Sequence, residues 1–192
     1  VFKRQQRLCA GVSDDAQSPT GQAPSPDRYD RLERTPTPGE RNSLWHWPEA
    51  KTFFQVARNY ILTWIVRVSS SLERKNWVLR RLGVTVGDNV AWGLEATPDV
   101  FWPERITLGE NVIVGYDATI LRHEFLQDEN RVGDVVIAPR ATNRAGAVIL
   151  PGAEIGPAAL MAANSRVADD VPPETTVAGI PAEPLDRDSE EA

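Results

Sequence analysis

Apolar side chains recur every six residues through the second half of the chain. With two breaks in phase, eleven of twelve such positions are apolar: Val86, Trp92, Trp102, Leu108, Val114, Ile120, Ile137, Ile149, Ile155, Met161 and Val167, with Asn143 the one exception. A second series, four residues on, is small or apolar too: Val90, Ala96, Ile106, Val112, Ala118, Ala141, Ala147, Ala153, Ala159, Ser165 and Val171, with only Glu124 departing. A helix would repeat near every 3.6 residues and a half-buried strand every two. A period of six fits short strands joined by sharp bends, each returning an aliphatic side chain to a shared interior. Three such sides close a triangular coil of about eighteen residues, and coils stack about 4.8 Å apart through parallel hydrogen bonding. Glycine often follows the buried aliphatic (Gly87, Gly93, Gly109, Gly115, Gly156), where it helps the chain turn, and Asp88-Asn89, Glu110-Asn111 and Pro151-Gly152 supply corner chemistry. The pattern predicts a parallel β-helix of roughly five coils, running from Val84 to about Pro172.

Upstream the rhythm changes. Phe53, Val56, Ala57, Tyr60, Ile61, Trp64, Ile65 and Val68 follow helical spacing and form one stripe, with Pro48 suited to a first turn. A second short helix is bounded by a Ser70–Glu73 capping box and by Gly83. This pair reads as a packing element over the first coil or a neighbouring subunit. The alternative is a peripheral membrane contact through residues 49–83, since an aromatic stripe with cations suits anionic headgroups. Residues 1–48, rich in Ser, Pro, Gln, Asp and Arg, bury too little apolar surface to offset their ordering entropy and read as a disordered leader. The expected order is thus leader 1–48, helical segment 49–83, β-helix 84–182 and acidic tail 183–192.

Two interruptions break the coils. The period slips by four at Thr97-Pro98-Asp99-Val100, and a longer excursion runs from Arg122 to Arg131. Loops tolerated in a strict solenoid usually carry function. The longer one holds His123, the only histidine downstream of His46.

Charge and cysteine count narrow the classes. Residues 84–134 hold three Lys/Arg against ten acids, a balance of −7, while residues 49–83 hold seven against two, or +5. Acidic coils argue against a nucleic-acid-binding face. The single cysteine, Cys9, permits no intrachain disulfide, so a reducing, cytoplasmic compartment is the simpler expectation. Only Lys3, Lys51 and Lys75 stand against eighteen arginines, which fits a salt-rich cytoplasm and a GC-rich genome equally.

The hexads, the loop bearing His123, the run Ile149-Leu150-Pro151-Gly152, the segment Asp169-Asp170-Val171-Pro172-Pro173 and the closing Val177-Ala178-Gly179-Ile180-Pro181-Ala182 together resemble the hexapeptide-repeat acyltransferases. The likeness is greatest to the maltose, galactoside and xenobiotic O-acetyltransferase branch. The resemblance implies an all-β left-handed parallel β-helix assembled as a homotrimer, with active sites in the clefts between subunits. It also implies acetyl transfer from acetyl-CoA to the hydroxyl of a small acceptor, without a metal. His123 matches the family's catalytic histidine, a base near neutral pKa able to take a proton from an attacking alcohol. Glu124 is a candidate to orient that imidazole. Glu95 and Asp99 lie in the stretch where relatives place a residue that holds the acceptor, and spacing alone does not choose between them; Ala145, Ala163 and Ala168 match positions where relatives bind the coenzyme's pantetheine arm. Two departures stand out: Asn143-Arg144 replaces an aliphatic and a glycine, and Glu183 stands where relatives carry a base facing the coenzyme's phosphates. Zinc carbonic anhydrases of this helix type need three histidines per site, and the coils supply one per chain. Uridylyltransferase fusions need a Gly-rich phosphate loop, which is missing here. The remaining alternative is a non-catalytic trimeric scaffold or membrane-surface module.

Overall fold

The hexads become two- and three-residue strands because each aliphatic side chain turns into one interior and the residues after it turn a corner. The computed structural model describes residues 28–185. The chain enters through a 3-10 turn and β1 (Glu33–Pro36), then α1 (Trp47–Ala50), α2 (Phe53–Val68) and α3 (Leu72–Leu82). The first coil is β2 (Thr85–Val86), β3 (Ala91–Trp92) and β4 (Thr97–Pro98); the second is β5 (Ile106–Leu108), β6 (Ile113–Val114) and β7 (Thr119–Ile120). A hairpin, β8 (His123–Phe125) and β9 (Glu129–Val132), interrupts the wall. The coils resume with β10 (Val135–Ile137), β11 (Thr142–Asn143) and β12 (Val148–Ile149), then β13 (Glu154–Ile155), β14 (Leu160–Met161) and β15 (Arg166–Val167). They end at β16 (Thr176–Ala178), on which β17 (Glu183–Pro184) folds back antiparallel.

Three parallel walls result. One contains β2, β5, β10 and β13; the second β3, β6, β11, β14 and β16; the third β4, β7, β12 and β15. The chain visits them in turn, so like residues stack: Trp92, Val114, Asn143, Met161 and Val177 lie in one column through the second wall. Both sequence series line the interior, where Ile106, Ile120, Ile137, Ile149, Ala147 and Met161 are fully buried.

Three expectations need correction. Trp102 is not a column residue: Pro98 pairs with Ile120 in the third wall, and Trp102 lies in the excursion that follows. The recurrent glycines serve close approach rather than turning. A Cβ on Gly115 would sit 2.7 Å from the Ala145 nitrogen of the next coil, whereas the left-handed corners fall on residues such as Asn89, Asn111, Asp117 and Asn164. The leader reading fails from residue 28 on. There β1 pairs antiparallel with β9, Arg28 Nη1 donates to the Pro151 carbonyl at 2.8 Å, and Arg31 reaches Gly152 and Asp170. Backbone pairing and arginine–carbonyl bonds order this polar stretch with little apolar burial. Residues 1–27 and 186–192 lie outside the described residues.

The helices begin where side chains can cap them. Thr52 and Gln55 make a reciprocal capping box at α2, Pro48 opens the separate α1, and Ser71, one residue after the expected Ser70, caps α3 through Arg74 N at 3.2 Å. α3 buries Val78, Leu79 and Leu82 against the first coil, along with Lys75, whose ammonium donates to the Gly93 carbonyl at 2.6 Å. Burial lowers the Lys75 pKa, opposed by the charge of Glu95. α2 turns Asn59, Thr63 and Val66 towards the body, while most of the aromatic stripe faces outward.

Asn143 is fully buried in the column between Val114 and Met161, and neither of its amide atoms has a hydrogen-bond partner. An unsatisfied buried amide costs about 1–3 kcal/mol. Asn143→Val restores the aliphatic column, so urea unfolding should show a gain of that order; an unchanged midpoint would mean the amide is satisfied.

Candidate active site

Both breaks in the hexad rhythm leave the prism at the same corner, one coil apart. β4 ends at Pro98 and β7 at Ile120, and these two residues are register partners. The first residue of the short excursion, Asp99, is therefore stacked beneath the start of the long one. Asp99 Oδ1 accepts from the backbone N–H of Phe101 at 2.8 Å and of Trp102 at 2.9 Å. Its Oδ2 accepts from the N–H of Arg122 at 2.7 Å and meets His123 Nδ1 at 2.6 Å. The Asp99 side chain is wholly buried and that of His123 is 16% exposed. Burial alone would raise the Asp99 carboxyl. The hydrogen bond and charge of His123, with the N–H groups of Trp102 and Arg122, outweigh it and hold the group below the usual carboxylate range. An ionised carboxylate only accepts hydrogen bonds, so Nδ1 carries the proton and Nε2 presents a lone pair.

Aromatic rings enclose the imidazole. Phe101 and Phe125 lie edge-on at 4.9 Å between centroids and Trp102 at 5.4 Å. Trp47 backs Phe101 at 6.0 Å. A cavity of about 320 Å³ opens beside this cluster, walled by Trp102 and Phe125 on one side and by residues of β1 and the Ser43–His46 turn on the other.

The hairpin is held by the N-terminal segment, which adds β1 to its free edge in the order β1-β9-β8. Ser43 donates to the Leu126 carbonyl from both its N–H and its hydroxyl. Beneath lies a chain of charges: Glu33 meets Arg105 at 2.6 Å, Arg105 meets Asp134 at 2.6 Å, and Asp134 meets the buried Arg122 at 2.6 Å. Burial brings the Arg122 guanidinium down to about 10, with Asp134 opposing the shift.

The other sequence candidates are distributed as follows. Glu124 does not orient the imidazole. Neighbours on a strand point to opposite faces, so it lies across from His123 and Phe125, opposite Arg131. Asp99 makes the contact to the imidazole instead, and both of its oxygens are engaged within the interior. Glu95 sits at a left-handed corner and binds Arg67 Nη2 at 2.7 Å, fastening the end of α2. Ala145 and Ala163 are exposed and stacked on one corner, linked by the Asn164 N–H to the Ala145 carbonyl at 2.9 Å. Ala168 follows β15 at the corner from which the hairpin leaves, two coils on, or about 10 Å along the prism. Sequence reasoning missed the aromatic wall of Phe101, Trp102 and Phe125. Among the described residues no three His, Cys, Asp or Glu side chains gather as a metal set.

No family model matches the chain. It is 39% identical over 152 residues to YvoF of Bacillus subtilis (strain 168), a protein named as an acetyltransferase, covering 79% of this chain and 88% of that one. Among solved structures, the hexapeptide-repeat-containing acetyltransferase VCA0836 of Vibrio cholerae O1 biovar eltor, complexed with acetyl coenzyme A, superposes with a TM-score of 0.59 at 22% identity, covering 69% of this chain and 86% of that one. A maltose O-acetyltransferase from Clostridium difficile 630 gives 0.55 at 20% identity over 69% and 85%. These structural likenesses speak for the fold, and the similarity to YvoF extends over most of both chains. The chain belongs to the hexapeptide-repeat acetyltransferase family.

Proposed function

We propose that the protein transfers an acetyl group from acetyl-CoA to a hydroxyl of a small, sugar-like acceptor, with His123 as general base. The observation that carries this reading is the 2.6 Å contact between Asp99 and His123 Nδ1, which leaves Nε2 as the basic atom. In this role Nε2 takes the acceptor's hydroxyl proton as its oxygen attacks the thioester carbonyl. Asp99 is a positioning residue that holds the ring and favours the imidazolium once formed. Phe101, Trp102 and Phe125 limit water around the ring, and the cavity beside them sets Trp102 and Phe125 against polar residues such as Glu33, Ser43, Arg105 and Asn130, a mixed lining suited to a hydroxyl-bearing ring. The ordered Asp99–His123 pair supports an enzyme over a bare scaffold.

The donor site fits the residues present. Ala145 and Ala163 are exposed and small, leaving backbone open to a pantetheine arm, and the exposed Arg144 beside Ala145 is a phosphate partner that offsets Glu183. Bound there, acetyl-CoA supplies an activated acyl carbon. The Ala145–Ala163 corner and the His123 corner lie at opposite ends of the third wall. That separation supports a homotrimer in which one copy's alanine corner faces the next copy's histidine. The second wall suits such a contact, since its outward residues Ala91, Ile113, Thr142, Leu160 and Thr176 carry no charge.

Calorimetry with CoA tests the donor half. Binding is expected, weakened about tenfold in Arg144→Glu through loss and reversal of one phosphate contact. No heat at millimolar CoA would overturn the enzyme reading. CoA release across a panel of sugars and hydroxylated xenobiotics tests the acceptor half.

A further inference from the structure

The side of α2 that faces away from the body is its apolar side. Phe54 is 84% exposed, Phe53 67%, Tyr60 63%, Ile61 58% and Trp64 56%. With Ala57 and Val68 these positions fall within about a third of the helix circumference. The arc contains no charge, and α2 contains no acid; the exposed Arg58 borders the arc on one side, and Arg67, paired with Glu95, on the other. The packed neighbour α3 leaves Trp77 56% exposed, with the Arg81 guanidinium 5.0 Å from its ring. Charge is divided along the molecule in the same sense. Residues 49–83 hold seven Lys/Arg against two acids, and residues 84–192 hold seven against nineteen.

We infer that this helical end docks on an anionic lipid bilayer, with α2 lying in the plane of the headgroups. A helix of sixteen residues is about 24 Å long, and among the described residues no helix is long and apolar enough to cross a membrane. An uncharged aromatic arc beside exposed arginines suits the interface instead: Trp and Tyr rings sit at headgroup depth, and the exposed Arg58 and Arg81 meet phosphates. The acidic coils are repelled by the same surface, so the charge division also sets orientation, helices down and coils away. A second copy seated symmetrically on this face would bring two cationic ends together, at an electrostatic cost. The inference is independent of the proposed reaction.

Flotation of the purified full chain on phosphatidylcholine vesicles, with and without phosphatidylglycerol, tests it. Binding is expected only to the anionic vesicles and is expected to weaken as salt is added. Phe54→Ser combined with Trp64→Ser, and separately Arg58→Glu, should each lower vesicle affinity about tenfold or more while circular dichroism and sedimentation stay unchanged. Absence of flotation, or equal flotation on both vesicle types, would overturn the inference. So would a smaller assembly for the Phe54→Ser/Trp64→Ser variant, which would make the face a contact between copies of the chain.

Discussion

His123→Ala is expected to lower kcat by about 10²–10⁴-fold, the range for loss of a positioned general base. CoA binding should stay intact, because the proposed donor contacts at Arg144, Ala145 and Ala163 do not involve the imidazole. Folding should survive as well. Asp99 loses one donor but keeps the N–H groups of Phe101, Trp102 and Arg122, so the cost is about 1–3 kcal/mol rather than collapse. Initial rates of CoA release, with calorimetry on the same variant, separate the two quantities. A rate within a factor of about three of the parent would remove His123 from the chemistry, since a lost general base costs far more than that.

The rhythm of aliphatic residues made the prism legible, because burial in a stacked column imposes a period that no helix or single strand shares. His123 was legible for a related reason: it sits where that period fails. Its partner was harder to see. The short slip after Pro98 and the long excursion after Ile120 read as two unrelated insertions until the register stacks those two residues, which brings Asp99 under His123. The signal was present, since Pro98 and Ile120 stand one coil plus the four-residue slip apart. Glu124 was the natural choice from adjacency alone, but reading the excursion as a hairpin puts neighbours on opposite faces. For α2 the periodicity defined an apolar arc without saying which way it points. Only the surroundings of Asn59 and Thr63 decide that: Asn59 Nδ2 donates to the Val100 carbonyl at 2.9 Å, and Thr63 is buried. The order of residues 28–46 left the weakest trace, because added-strand pairing to β9 is made by backbone and scarcely depends on side-chain type.

Asp99→Asn carries the second large effect, and its sign can be worked atom by atom. The amide oxygen is drawn to the side where Phe101 and Trp102 donate, so the amide NH₂ replaces Oδ2. There it confronts the Arg122 N–H and His123 Nδ1. An NH₂ can only donate, which forces the imidazole into the tautomer with its proton on Nε2 and removes the lone pair that the reaction needs. The expected loss in kcat at neutral pH is about 10²–10⁴-fold, as for other orienting carboxylates exchanged for amides. CoA affinity should be unchanged, a split that a general loosening of the fold would not produce. Stability supplies an independent readout. The folded Asp99 pKa is lowered from its ordinary value of 3.8, so its contribution is full above that value and fades as pH falls through the folded pKa. The stability gap between parent and Asp99→Asn should therefore be fully present above about pH 4 and narrow below it, where the carboxylate of the unfolded chain takes up its proton before that of the folded one. A gap that stayed constant down to strongly acid pH would mean that Asp99 is not held as an anion, and the assignment of the basic lone pair to Nε2 of His123 would fall with it.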